Sequence, residues 1–121
     1  MLSESTNEVK GIKQMNEQDR MQTAQTIINQ LGGHKFVVMT GAKEIYATQS
    51  GVQFKVSGKD GINFVKVDLT SADLYDVTYA RKTFSRKTLT ASNVVKASSN
   101  GLYFDMIRAD FESKTGLYTS L

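Results

Sequence analysis

Residues 70–87 read TSADLYDVTYARKTFSRK, and the rest of the chain arranges itself around them. Thr70-Ser71-Ala72-Asp73 has the spacing of a helix capping box, with aspartate in place of the usual Glu or Gln. It predicts a single helical turn through Leu74. From Asp76 to Phe84 the pattern alternates, with Val77, Tyr79 and Arg81 set against Thr78, Ala80 and Lys82, which is the two-residue period of a strand. The stretch closes on the bases Arg81, Lys82, Arg86 and Lys87.

Further strands flank it. Upstream, Val65, Val67 and Leu69 alternate with Phe64, Lys66 and Asp68, and Val52, Phe54 and Val56 alternate with Gln53 and Lys55. The connection SGKDG (57–61) is made of turn residues and suits a hairpin. Ile45 to Thr48 reads as a short strand and Gln49-Ser50-Gly51 as a tight turn. Phe36 to Thr40, rich in bulky and β-branched residues, reads as a central strand covered on both sides. Downstream, the threonine-rich segment from Thr88 to Val95 reads as an edge strand or the far arm of a hairpin.

Helices bracket the strands. Met21, Ala24, Ile27, Ile28 and Leu31 fall at helical spacing, Asn16 offers an N-cap, and Gly32-Gly33 supply a stop, predicting a helix over 16–31. Ser98-Ser99-Asn100-Gly101 reads as a loop leading into a second helix over 102–114, with Tyr103, Ile107 and Phe111 on its apolar face and Gly116 as its end. Strands grouped between helices with hairpin-length connections define an α+β domain: an N-terminal helix, an antiparallel sheet of four to six short strands with helices on one face, and a C-terminal helix. It spans 16–121 and is preceded by a weakly ordered arm over 1–15.

The 121 residues suffice for one core, and 40 % hydrophobic with 22 % charged residues is a globular composition. Cysteine is absent, which excludes a disulfide framework, a thiolate metal site and a cysteine nucleophile. No apolar run approaches the ~20 residues that span a bilayer, and the polar opening segment is unlike a signal peptide. A cytoplasmic protein without a membrane partner is expected. The formal charge of +3 is unevenly spread: residues 77–104 hold five bases, Arg81, Lys82, Arg86, Lys87 and Lys96, and no acid.

Candidate chemistry is sparse. Gly32-Gly33-His34-Lys35 leads from helix into strand, the wrong direction for a phosphate-binding loop, and Thr40-Gly41-Ala42-Lys43 lacks that loop's glycine spacing, so both read as turns. The single His34 has neither a nucleophile motif nor a second histidine beside it. Asp68, Asp73 and Asp76 lack EF-hand spacing and have capping and solvent roles open to them. No catalytic residue, cofactor or metal is expected. The strongest signal is the basic segment with its aromatics: Tyr79, Arg81, Lys82, Phe84, Arg86, Lys87 and Lys96 would let cations meet phosphates and an aromatic meet a base. The plain alternative is a solvated edge strand with its aromatics in the core. The basic helix-start cluster of a double-stranded-RNA-binding domain is missing.

Leu31-Gly32-Gly33 with Phe36 and MTGAK (39–43), GIN (61–63) with Val65, Val67 and Leu69, ADLYDV (72–77) and the closing TGLYTSL (115–121) resemble a family of small proteins encoded in bacteriophages and prophages. The resemblance covers residues 18–121. The function of that family is unassigned, so it transfers no site residues. It implies a phage or mobile-element origin and a host-cell cytoplasmic setting. The expected function is that of a non-enzymatic accessory protein binding nucleic acid through a basic hairpin. The alternatives are a protein-binding inhibitor of a host defence factor, or a homo-oligomeric assembly subunit whose apolar tail, 117–121, docks on a neighbouring copy.

Overall fold

The computed structural model describes residues 16–119; the arm expected over 1–15 lies outside them. Helix α1 (Glu17–Leu31) begins where Asn16 accepts a hydrogen bond from the Asp19 amide at 2.8 Å, as the sequence predicts, and buries Ala24, Ile27, Ile28 and Leu31. Met21, counted on its apolar face, is exposed. Gly32 and Gly33 both take positive φ, 133° and 65°, and reverse the chain.

The reversal leads into a second helix, α2 (Gly33–Thr40), where the sequence predicts a strand. An alternating strand would put Phe36, Val38 and Thr40 on one face. Instead Phe36 and Thr40, four apart, are buried and Val38 between them is 63 % exposed. The Thr40 hydroxyl donates back to the Phe36 carbonyl at 2.7 Å, and Gly41 ends the helix in the left-handed region. The strand preference of Val37 and Val38 is a few tenths of a kcal/mol. Burial of the Phe36 ring against Phe54 and Phe111, both 5.3 Å away and edge-on, outweighs it.

Five strands follow: β1 (Lys43–Ala47), β2 (Gly51–Lys55), β3 (Phe64–Leu69), β4 (Tyr75–Ser85) and β5 (Thr90–Leu102). They form one antiparallel sheet in chain order. Helix α3 (Ile107–Thr115) completes the α+β fold. Residues 70–74 are a hairpin loop rather than a helical turn. The Asp73 amide bonds the Thr70 carbonyl, Asp73 sits at φ 62°, and the Thr70 amide bonds the Leu74 carbonyl. This is a turn closed by a left-handed residue, the three-residue hairpin solution. Thr70 still caps, but the Ala72 and Leu74 amides it receives belong to the hairpin.

The second helix starts five residues later than predicted. Ser98 to Leu102 pair with β4 as an edge strand, with Ser98 opposite Thr78, Ser99 opposite Val77 and Leu102 opposite Tyr75. The Asp76 carboxylate accepts the Gly101 amide where the strand is irregular. Tyr103 is therefore exposed, and Ile107, Phe111 and Thr115 form the buried stripe of α3.

Register sorts the side chains into two faces. Val52, Val67 and Val77 stand in one cross-strand row, and Phe54, Val65 and Tyr79 in the next. These rows join residues of α1, α2 and α3 in one core. Phe64 and Ala80 point the other way; they are buried but belong to no part of that core. Among the described elements the opposite face is open. Beyond Gly116 the chain folds back on its own domain: Leu117 packs against the core, and the Thr119 amide and hydroxyl both donate to Glu112. Leu117 and Thr119 are thus engaged in their own chain.

Candidate nucleic-acid interface

β3 accompanies β4 only as far as the pair Phe64–Ala80. Beyond it β4 and β5 continue alone through five pairs, from Arg81–Val94 to Ser85–Thr90, and close through a turn over 86–89 with Leu89 at φ 55°. Every residue from 81 to 96 is exposed. Within the segment singled out by its charge, residues 81–94 form a two-stranded arm projecting from the sheet by about 17 Å, at ~3.4 Å per residue.

The root of the arm is built from both sides. The Asn63 side chain donates to the Lys82 carbonyl and accepts from the Lys82 amide, each at 2.8 Å, so an amide side chain completes the ladder where β3 ends. The Arg81 guanidinium donates to the Gly61 carbonyl at 3.2 Å. On β5, Tyr79 pairs with Ala97 and Ala80 with Val95, leaving Lys96 as the extra residue of a bulge. A bulge raises local twist and re-aims the strand.

Alternation divides the predicted site residues. Lys82 and Phe84 lie on the open face, Arg81 on the helix side, and Arg86 and Lys87 at the tip. Lys96 opens onto a cleft of about 590 Å³ on the helix side, with Lys59, Asp60, Ser113 and Lys114. Lys82 holds its ammonium 3.8 Å from the centre of the Phe64 ring. Phe84 is 60 % exposed.

Tyr79 leaves the set. It is wholly buried, and its hydroxyl donates to Asp110 Oδ2 at 2.6 Å. Burial, then the Asp110 hydrogen bond, push its phenol far above the ordinary value. Burial raises the Asp110 carboxyl, but hydrogen bonds from Tyr79, Ser99 and Lys114 outweigh that and hold it below the usual carboxylate value. This part-buried network fastens α3 to β4 and β5; it is architecture.

The acids and the histidine are also accounted for. Asp68 accepts from the Ser50 hydroxyl at 2.7 Å, Asp76 from the Gly101 amide, and Asp73 shapes the hairpin. His34 is exposed in the first turn of α2. Among the described residues no three of His, Asp and Glu come together as a metal site requires. No helix among them is long and apolar enough to cross a membrane.

Lys43, Lys55, Asn63 and Phe64, which meet the foot of the arm on the open face, carry no local signal in the sequence. The pairings Lys43–Lys55 and Lys55–Phe64, which follow from the register of three strands, and the bonds of Asn63 to Lys82 bring them together. Compared with protein-family models, curated proteins and solved structures, the chain matches none.

Proposed function

We propose that this protein binds nucleic acid, without catalysis, through the β4–β5 arm. The observation that carries this reading is the union of charge and shape. Four of the five bases of the acid-free segment 77–104, Arg81, Lys82, Arg86 and Lys87, lie in the part of it, 81–94, that leaves the sheet as an exposed arm. Lys82, Arg86 and Lys87 reach solvent along its length and at its tip, and Arg81 stands at its root. Clustered Lys and Arg neutralise phosphates and release counterions, so such binding is steeply salt-dependent and tolerant of sequence. A salt titration of oligonucleotide binding tests it: affinity should fall linearly on logarithmic axes as salt rises. Absence of binding to single- or double-stranded DNA and RNA at low salt refutes it.

One observation favours a second reading, a protein partner such as a host factor or another copy of the chain. β5 is an edge strand of thirteen residues, and Leu89, Val94 and Val95 are exposed on the arm. Light scattering on the nuclease-treated protein separates the two. A stable oligomer or a retained protein partner, with no nucleic-acid binding, supports the second.

A further inference from the structure

The open face of the sheet forms a groove at the foot of the arm. Lys43 pairs with Lys55, Lys55 with Phe64, and Phe64 with Ala80. Cross-strand partners share a face, so this row carries two lysines and a phenylalanine across four strands. Lys82 and Phe84, two and four residues beyond Ala80, rise on the same face. Together with Asn63 they wall a groove of about 480 Å³, and no carboxylate is among its described walls. That volume lies within the ~300–1,000 Å³ of small-ligand sites.

The two aromatics have different tasks. Phe64 is buried beneath the Lys82 ammonium, which it holds in place over its ring. Phe84 leaves most of its surface to solvent. Lys55 is paired with Glu44 at 3.1 Å, but both side chains are about half exposed. Such a pair is weak, and an incoming phosphate can replace the carboxylate.

Cations alone would hold any polyanion; a bare aromatic beside three lysines selects one that also offers a flat ring. We propose that this groove takes a nucleotide of a single-stranded nucleic acid, its base stacked on Phe84 and its phosphates held by Lys43, Lys55 and Lys82. A duplex keeps its bases stacked on one another, whereas an unpaired strand can lay a base on an aromatic side chain. The inference rests on the reading of the arm as a nucleic-acid surface. It adds the class of strand and two lysines that lie outside the arm.

The test measures fluorescence anisotropy of labelled oligothymidylate and oligouridylate, a duplex of equal length and an abasic strand, with the full chain. The single strands should bind more tightly than the duplex and the abasic strand. Base stacking is worth about 1–3 kcal/mol, so Phe84→Ala should weaken single-strand binding roughly 5- to 150-fold. Phe84→Trp should restore it, which separates stacking from a collapsed arm. Lys43→Gln should weaken binding, and Glu44→Gln, which frees Lys55, should strengthen it. Equal affinity for single strand, duplex and abasic strand, with Phe84→Ala unchanged, overturns the groove and leaves the arm reading standing if Arg86→Gln/Lys87→Gln still weakens binding. No binding by the wild-type chain to any of these probes overturns both.

Discussion

Replacing Tyr79 with phenylalanine removes one oxygen from the most heavily used contact between α3 and the sheet. The ring stays in place, so no cavity forms. The lost bond is short, 2.6 Å, and ends on a carboxylate whose side chain is only 13 % exposed. Hydrogen bonds to charged groups contribute about 1.5–3 kcal/mol. Asp110 keeps Ser99 at 2.8 Å and Lys114 at 3.0 Å, but both meet Oδ1; Tyr79 is the donor to Oδ2. We therefore expect a loss of about 2 kcal/mol, which lowers the melting temperature by roughly 8 °C for a domain of this size. Urea denaturation followed by circular dichroism measures it as a lower midpoint at constant slope. Asp110→Ala should cost more, about 3 kcal/mol, because it strands a wholly buried phenol and also removes the shared acceptor of Ser99 and Lys114, which keep only their bond to each other. The double variant should recover about 1–2 kcal/mol of the summed losses, since the shared bond is lost once. A Tyr79→Phe protein within about 0.5 kcal/mol of wild type, with additive doubles, would refute the claim that this network anchors α3.

Other consequences follow from the same geometry. Asp110 and Glu112 both titrate below their ordinary values, the latter through hydrogen bonds from the Thr119 amide and then its hydroxyl. Their stabilising contribution is complete above the unfolded values, about 3.9 and 4.3, and is lost as pH falls through the lower folded values. Equilibrium unfolding across the acid range should show that loss, and Tyr79→Phe should flatten it. Gly51→Ala should be severely destabilising, because a Cβ there would lie within the van der Waals shell of the Val67 carbonyl oxygen; thermal denaturation reads it. Asn63→Ala should leave the core intact but speed hydrogen exchange at the Lys82 amide, whose acceptor is the Asn63 side chain.

The periodic parts of this fold are readable from the residues. α1, β2, β3 and the first half of β4 carry patterns strong enough to fix their type and inward face, because each buries one side against a shared core. α2 is not readable this way. Phe-Val-Val-Met-Thr has the composition of a strand, and only the reversal at Gly32-Gly33 and the long-range meeting of Phe36 with Phe54 and Phe111 make it helical. Ser98-Ser99-Asn100-Gly101 looks like a loop because its side chains are polar, yet an edge strand needs few apolar residues and here pairs by backbone. Arg81, Lys82, Arg86 and Lys87 could be named from charge and Phe84 from its aromatic ring, whereas Tyr79 alternates with Val77 and belongs to the core. That Arg81 and Lys82 part company follows from alternation alone; that Lys43 and Lys55 join the arm depends on pairing register, which no single stretch contains.

Contact between phosphates and the cations of the arm can be read from the salt dependence of oligonucleotide affinity for the wild type and for the triple variant Lys82→Gln/Arg86→Gln/Lys87→Gln, with the fold verified by circular dichroism. Each phosphate contact on a single strand contributes about 0.7 to the slope of log affinity against log salt. The variant should bind more weakly, with a slope shallower by about 2. An unchanged slope and affinity in the variant would contradict it.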